Sequence, residues 1–152
     1  MTPAFSIRPV RASDLDCILE IERASFGEYA WDRKLFAGFS HRCGELFLVG
    51  VEGRQIRGYI LTCLRGMAGH RAELVSIAVD PRRRGQGIAS ALMDTTLRRL
   101  RRRGISRFHL MVKVTNNEAI RFYERYGFRK DRLVRRYYED GADGRRMEKV
   151  LD

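Results

Sequence analysis

The sequence has few cysteines and lacks a cysteine motif, a signal-like segment and any long apolar run. Its three cysteines, Cys17, Cys43 and Cys63, are odd in number and widely spaced, which predicts unpaired thiols in a reducing compartment. No segment approaches the roughly 20 consecutive apolar residues that a membrane-spanning helix needs. We therefore expect a soluble cytoplasmic protein with no membrane partner.

Repeats, low-complexity tracts and linker-like segments are also absent, so residues 1–152 are expected to form a single domain. A chain of this length buries roughly 70% of the surface that its unfolded form exposes. It needs neither a disulfide nor a metal ion as an additional stabilising link.

Acidic residues are the minority, since 30 Lys and Arg against 19 Asp and Glu give a formal net charge of +11. The densest basic runs are residues 82–84 and 98–103. Such charge is compatible with a phosphorylated cofactor, an acidic peptide or nucleic acid as partner, or with a solvated helix face that has no ligand. No RNA-binding signature or zinc spacing accompanies the charge, so nucleic acid is the least favoured partner.

Apolar periodicity predicts a mixed α/β chain. Two helices follow a first strand; then come an antiparallel meander, a strand-helix-strand crossover with parallel strands, and a final hairpin. The predicted elements are a strand at residues 5–8, a helix capped by Ser13, a helix that begins near Asp32, strands at 45–53, 55–64 and 73–80, a helix at 88–103 ended by Gly104, a strand at 107–114, a helix at 116–126, and strands at 128–138 and 145–151.

Residues 79–93, VDPRRRGQGIASALM, place Gly85 and Gly87 between a strand and a helix. Glycines let a ligand approach the backbone closely, and a helix N-terminus offers unpaired N–H groups and a positive dipole end. A pyrophosphate fits such a loop. The spacing matches neither a Walker loop nor a dinucleotide fingerprint, so this segment alone is weak support for a ligand site.

Two segments in this order resemble motifs of the GNAT superfamily of acetyl-coenzyme A-dependent N-acetyltransferases. RGQGIA, residues 84–89, resembles the R/Q-x-x-G-x-G/A cofactor loop, and NNEAIRFYERYGF, residues 116–128, resembles the N-x-x-A-x-x-F/L-Y-x-x-x-G-F segment. The resemblance implies the acyl-coenzyme A N-acyltransferase fold, a mixed, mostly antiparallel sheet with one parallel crossover pair flanked by about four helices. It also implies acetyl-CoA as cosubstrate and no metal ion.

The resemblance assigns cofactor-binding positions along the chain. Backbone groups of the strand before the loop would pair with pantetheine as an added strand does. The loop would cradle the pyrophosphate, Asn116 would hold the cofactor arm, and Tyr123 would donate a proton to the leaving thiolate. A tyrosine in this apolar helix could instead be a core residue. The implied cofactor-binding residues are Ile77, Ala78, Val79, Arg84, Gly85, Gln86, Gly87, Ile88, Ala89, Ser90, Asn116 and Tyr123.

The last segment, RRYYEDGADGRRMEKVL, resembles the end of protein N-terminal acetyltransferases, including the RimI-type ribosomal protein alanine acetyltransferases. That resemblance implies that Tyr137 and Tyr138 line the peptide-binding mouth, with Tyr29 and Trp31 on the opposing helix loop. The alternative is that the tyrosine pair packs against a neighbouring strand without touching substrate.

The proton acceptor is where the sequence departs from that pattern. RimI-type enzymes have a glutamate on the strand after the long helix, and the matching residue here is Met111. Another branch of the superfamily uses a glutamate on the strand before the cofactor loop, and Glu73 holds that position, which makes it the favoured base. Glu73 could alternatively be a structural ion-pair partner, and His109, on the same strand face as Met111, is the reserve candidate.

The sequence therefore predicts an N-acetyltransferase that works by direct attack of an amine in a ternary complex. A peptide or protein N-terminal α-amine is the first-choice acceptor, and a lysine side chain or a small amine is the second. The alternative from another class is a coenzyme A-binding module that has lost catalysis and holds a partner on its basic surface. The oligomeric state is left open between monomer and dimer.

Overall fold

The computed structural model describes residues 5–66 and 70–152. In this part of the chain, four α-helices and seven strands follow one another in the predicted order. They are β1 (Phe5–Pro9), α1 (Leu15–Phe26), α2 (Arg33–Cys43), β2 (Phe47–Glu52), β3 (Gln55–Arg65), β4 (Arg71–Val79), α3 (Ile88–Arg102), β5 (Arg107–Lys113), α4 (Asn117–Arg125), β6 (Arg129–Val134) and β7 (Gly144–Val150).

The strands form one sheet in the order β1-β2-β3-β4-β5-β7-β6. β4 and β5, which flank α3 in sequence, are parallel, whereas β1 with β2, β2 with β3, β5 with β7 and β6 with β7 are antiparallel. The β4–β5 ladder pairs Arg71–Leu74 with Arg107–Leu110, and both strands continue beyond it. The predicted mixed sheet with a parallel crossover pair is confirmed.

The contacts divide the chain into two compact units. The first unit contains the residues up to Cys63 and Ser76–Leu100, and the second contains Leu64–Val75 and Arg101–Asp152. A single domain over residues 1–152 stays a prediction.

The core of the first unit is built by amphipathic helices and apolar strands. The predicted apolar face of α3 is buried, and Thr96 satisfies its hydroxyl by donating to the Leu92 carbonyl at 2.9 Å. Burying each large aliphatic side chain contributes about 1.5–3 kcal/mol before the entropy of ordering is subtracted. The buried apolar residues of its helices include Leu15, Ile18, Leu19, Ile21, Phe36, Ile88, Leu92, Met93, Leu97 and Leu100.

The second unit packs α4 through aromatic rings. Phe128 lies 5.4 Å from Phe108 and 5.8 Å from Tyr123, measured between ring centroids. Phe108, Phe128 and Met147 are almost entirely buried. This cluster fixes the helix that carries Tyr123.

The predicted cap of the first helix is wrong. A short 3-10 turn, Ala12–Asp14, precedes α1, so Ser13 does not cap it. Asp14 instead accepts the Arg11 N–H at 2.7 Å and pairs with Arg8 at 2.7 Å. This pairing closes a turn before the helix begins.

The predicted strand at residues 128–138 is too long. β6 ends at Val134, and Arg136 adopts a left-handed φ of 52°, which an extended strand does not allow. Tyr137 and Tyr138 therefore lie in the connection between β6 and β7, so they are not cross-strand partners within the sheet.

The prediction of unpaired cysteines is wrong for two of the three. Cys43 ends α2 and Cys63 lies in β3, and their Cα atoms are 5.2 Å apart across a disulfide. The pair is separated by 20 residues and joins two elements that meet only in the folded chain, so no local sequence motif predicts the disulfide. Cys17 is free and exposed.

Removing this disulfide should lower the free energy of unfolding by about 3 kcal/mol, because the bridge lowers the conformational entropy of the unfolded chain. Thermal unfolding of Cys43→Ala/Cys63→Ala, compared with the matched Cys17→Ala control, measures the effect. Thiol titration should find one reactive thiol in the native protein and three after reduction and unfolding, since the chain has three cysteines. Equal stability of the double variant and the control would contradict the expectation.

Within residues 5–66 and 70–152, no helix has the length and apolar character that crossing a membrane requires.

Candidate active site

The glycine-rich segment forms an open turn at the N-terminus of α3. Gly85 and Gly87 have φ values of 80° and 82°, which glycine adopts without the strain that a side chain would add. A Cβ atom at either glycine would meet nothing within 4 Å, so space lies open beside the backbone. The Ala91 N–H donates to the Gly87 carbonyl at 3.0 Å and starts the helical ladder. The turn thus has the shape and dipole that an anionic pyrophosphate requires.

Asp80 anchors the start of this turn. It accepts from the Arg82 backbone N–H at 3.0 Å, and Arg57 on β3 lies 3.5 Å from its carboxylate. Burial alone would raise the pKa of Asp80, but the hydrogen bonds from Arg82, together with the charges of Arg82 and Arg57, outweigh burial and hold that pKa below its usual value. The charged carboxylate therefore fixes Arg82 and Arg57 beside the turn. Gln55, Arg57, Arg82 and Arg83 line a depression there.

Two facing glycines place the first residue of α3. Gly50 on β2 and Gly58 on β3 are register partners. A Cβ atom at Gly50 would lie 3.1 Å from the Ile88 side chain, and one at Gly58 would lie 3.0 Å from the Ala78 carbonyl oxygen. Glycine inside a strand marks such a close approach, yet sequence reasoning did not assign these two residues a role.

The last residues of β4 lie beyond the rungs that pair it with β5. Ala78 and Val79 are buried, and Ile77 is half-buried. The Asp80 N–H donates to the Arg57 carbonyl at 2.7 Å, which ties the end of this strand to β3.

The segment between α1 and α2 presents aromatic side chains. Tyr29 is 43% exposed. The Trp31 ring stacks on Phe39 with centroids 5.5 Å apart and lies 5.6 Å from Phe36. Asp32 begins α2 as predicted, because its carboxylate accepts the Leu35 N–H at 2.9 Å.

In the second unit, Glu73 on β4 and His109 on β5 are register partners in the parallel ladder. Arg65 donates to one Glu73 oxygen at 3.0 Å, so part of the carboxylate already has a partner. His109 Nδ1 is buried and has no hydrogen-bond partner among the described residues. Burial lowers the pKa of His109, and Arg146 and Arg71 add to that effect against Glu73 and Glu148. The neutral imidazole is therefore favoured and can accept a proton.

Met111 on β5 packs against the first residue of β7. A Cβ atom at Gly144 on β7 would lie 2.8 Å from Met111 Cε and 3.0 Å from Tyr137 Cβ. A side chain at position 144 would therefore require the flexible end of Met111 to shift and would crowd Tyr137. Sequence reasoning assigned Gly144 no role and missed this packing.

Tyr123 is buried on α4. Its ring makes edge-on contacts with Phe122 and Phe128, with centroids 5.7 and 5.8 Å away. Burial raises the pKa of Tyr123 well above its usual value, and the nearby Tyr138 adds to the shift. The hydroxyl therefore keeps its proton at neutral pH and is a proton donor by chemistry.

Tyr137 and Tyr138 meet edge-on, with centroids 5.0 Å apart. Tyr137 is 48% exposed, whereas burial raises the pKa of Tyr138 to about 12. Lys113 Nζ lies 5.3 Å from the Tyr138 ring centroid and 2.7 Å from the Asp140 carboxylate, which holds the connecting segment.

Asn116 begins α4, and its side-chain oxygen accepts the Ala119 N–H at 3.2 Å. That bond uses the side-chain carbonyl oxygen, and the amide N–H₂ group takes no part in it. The capping role is visible in the sequence as an Asn before an apolar helix.

The structure brings the predicted residues together in two groups. The first unit joins the glycine turn to the end of β4. The second unit places Glu73 within electrostatic reach of both His109 and Tyr137, and Tyr123 within reach of Tyr138.

A parallel strand pair flanks a helix that begins at an open glycine turn, which is the arrangement that the resemblance to acyl-coenzyme A-dependent N-acyltransferases predicts. The model of the acetyltransferase (GNAT) family matches residues 15–128. The chain belongs to the GNAT acetyltransferase family and is an acetyl-CoA-dependent N-acetyltransferase. The predicted family, fold, enzyme class and cosubstrate are confirmed.

Similar proteins cover nearly the whole chain. An N-alpha-acetyltransferase of Saccharolobus solfataricus is 28% identical over 97% of this chain and 93% of its own length. The [ribosomal protein bS18]-alanine N-acetyltransferase of Escherichia coli is 30% identical over 92% of this chain and 90% of its own. The crystal structure of Ard1 from Thermoplasma volcanium has a TM-score of 0.92 and 29% identity, and covers 98% of this chain and 99% of that one.

Proposed function

We propose that this enzyme acetylates the N-terminal α-amine of a peptide or protein. The observation that carries this proposal is the extent of the similarity to the N-alpha-acetyltransferase, which spans 97% of the chain. A lysine side chain or a small amine is the second candidate acceptor. Action in the cytoplasm belongs to the same proposal, but the Cys43–Cys63 disulfide removes the support that unpaired cysteines would have given it.

The cofactor-binding residues of this proposal lie in the first unit and on α4. The turn at residues 84–90 offers backbone N–H groups to the pyrophosphate. Ile77, Ala78 and Val79 offer strand backbone groups to pantetheine, one of which polarises the thioester carbonyl. Asn116 holds the cofactor arm. Acetyl-CoA supplies the activated acetyl group.

The residues proposed to transfer protons lie in the second unit. The acceptor amine attacks only when neutral, so its proton must pass to a base, and Glu73 takes it directly or through water. The Tyr123 hydroxyl gives its proton to the departing thiolate. His109 lies across the ladder from Glu73, and its Nδ1, which has no hydrogen-bond partner in the described part of the chain, makes it the alternative acceptor.

The acceptor is held by aromatic side chains. Tyr29 and Tyr137 are both about half-exposed, and Tyr138 supports Tyr137 edge-on. Such rings suit a peptide backbone, because they combine apolar area with a polar tip.

Release of coenzyme A thiol from acetyl-CoA tests the acceptor class. We expect a peptide with a free N-terminal alanine to be turned over faster than the same peptide with a blocked N-terminus and an internal lysine. A small polyamine serves as the third acceptor. Equal rates with all three would contradict the proposal.

Glu73→Gln should lower kcat by about 10²-fold or more, because general-base catalysis contributes about 10²–10⁴-fold. The acidic limb of the pH–kcat profile, which reports ionisation of the base, should disappear. Glu124→Gln, an exposed glutamate on α4, is the matched control and should leave the profile unchanged. If Glu73→Gln keeps the profile and His109→Gln removes it, His109 is the base.

A further inference from the structure

Glu22 is an acidic residue in a buried position, where an apolar residue is expected. It lies in α1 and is 2% exposed, yet no cation pairs with its carboxylate in the described ranges. An ion buried in this way costs several kcal/mol unless its oxygens are satisfied. An apolar residue of similar volume would cost less, so a structural core alone does not explain a glutamate here.

Both carboxylate oxygens of Glu22 accept hydrogen bonds. Oε2 accepts the Trp31 backbone N–H at 2.9 Å, and Oε1 accepts the Tyr59 hydroxyl. The Tyr59 oxygen also lies 2.9 Å from Ser76 Oγ. The chain of bonds therefore runs from the segment between α1 and α2, through α1 and β3, to β4.

Tyr59 is a rigid middle link. It is fully buried, and its ring lies 5.6 Å from Phe36 and 6.0 Å from Phe47 between centroids. A ring held on two sides cannot swing to follow a moving loop. Displacing Trp31 would therefore break its bond to Glu22 instead of dragging the network along.

The two ends of the network lie beside residues of the proposed site. Trp31 is two residues after Tyr29, the exposed ring proposed to contact the acceptor. Ser76 directly precedes Ile77, whose backbone is proposed to bind the cofactor. All members belong to the first unit.

We infer that Glu22 is a positioning residue, which through Trp31 and the Tyr59–Ser76 pair holds the acceptor-binding segment at residues 27–32 in register with β4. The inference rests on the proposed function for its catalytic consequence. Glu22 does not contact substrate in this proposal; it fixes the positions of Tyr29 and Trp31. Loss of the network should therefore weaken acceptor binding and spare acetyl-CoA.

The buried carboxylate also predicts a pH dependence. Burial raises the pKa of Glu22 above its usual 4.5, and the bonds from Trp31 and Tyr59 only partly oppose it. Since the folded pKa exceeds the unfolded one, the destabilisation is absent below about pH 4.5 and grows as pH rises through the folded pKa. The free energy of unfolding of Glu22→Gln minus that of the wild type should therefore increase with pH. A difference that stays flat or falls with rising pH would contradict it.

Trp31 is the single tryptophan, so its emission reports on this segment without reference to activity. Glu22→Leu and Tyr59→Phe should shift that emission to the red and raise the acceptor KM roughly tenfold, the effect of about one hydrogen bond. The KM for acetyl-CoA should change less than about twofold. Glu22→Gln can still accept from Trp31 and donate to Tyr59, so it should restore both measurements.

Asp14→Asn is the matched control, because Asp14 is also a buried carboxylate at α1 but bonds to Arg8 and Arg11. It should lower stability without moving Trp31 emission or the acceptor KM. If Glu22→Leu does not fold, Tyr59→Phe and Ser76→Ala carry the test. Unchanged emission and acceptor KM in folded network variants would overturn the inference. A wild type inactive on every amine would instead refute the proposed function, while the emission shifts would still test the network.

Discussion

Tyr123→Phe is expected to lower kcat by about 10²–10⁴-fold, the range that loss of a positioned proton donor produces. The substitution keeps the ring that packs between Phe122 and Phe128, so the thermal midpoint should change little. The pKa of Tyr123, raised by burial, ensures that the wild-type hydroxyl still carries its proton at neutral pH. Steady-state kinetics should show a fall in kcat with the KM for acetyl-CoA nearly unchanged.

Tyr126→Phe is the control for this experiment, because Tyr126 lies one residue beyond α4 and its ring also packs on Phe122. It should retain nearly full turnover. If Tyr123→Phe is as active as this control, Tyr123 is only a core residue. The proton for the thiolate would then have to come from elsewhere.

Gly87→Glu is expected to raise the KM for acetyl-CoA by about 10²-fold or more, since a like charge set against an anion costs several kcal/mol. Gly87 has a φ of 82°, so any side chain there also adds backbone strain of about 1–3 kcal/mol. The new carboxylate would stand at the turn where N–H groups are proposed to meet the pyrophosphate. Coenzyme A binding by calorimetry measures the effect directly.

Gly53→Glu separates strain from repulsion. Gly53 has a φ of 62° in the β2–β3 turn, and a Cβ atom there also meets nothing within 4 Å. It should lose similar stability while binding coenzyme A normally. Normal coenzyme A binding by Gly87→Glu would contradict the role of the 84–90 turn. An equal loss of coenzyme A binding in Gly87→Glu and Gly53→Glu would contradict it as well.

Much of the fold was predictable because its signals are local. Asp32 caps α2, Gly104 ends α3, and the apolar spacing from Ile88 defines the buried face. Each of these depends on neighbours within a few residues. Patterns of this kind depend on backbone geometry, and here they agree with the tertiary packing.

The error on the cysteines occurred where distant residues decide, whereas the Ser13 cap and the end of β6 failed on local backbone conformations. The Cys43–Cys63 disulfide joins elements 20 residues apart, and the end of β6 depends on the left-handed Arg136. Neither has a sequence pattern of its own.

The residues of the candidate site also include some that local motifs identified and some that sequence reasoning missed. The glycine turn and Asn116 were identified from motifs, and their cofactor-binding roles stay predictions. Gly50, Gly58 and Gly144 were missed, because the atoms that crowd a Cβ atom at these positions come from other elements. Glu22 was missed since an acidic residue in an amphipathic helix is usually solvated. Its burial becomes visible only when Tyr59 and Trp31 are in place.

The most direct test of the account is to map the acetylated atom. The purified protein is incubated with acetyl-CoA and a peptide that contains both a free N-terminal alanine and an internal lysine, and the product is sequenced by tandem mass spectrometry. The account predicts one acetyl group on the N-terminal α-amine and none on the lysine. Acetylation of the lysine alone, or of neither amine while acetyl-CoA is turned over with small amines, would contradict it.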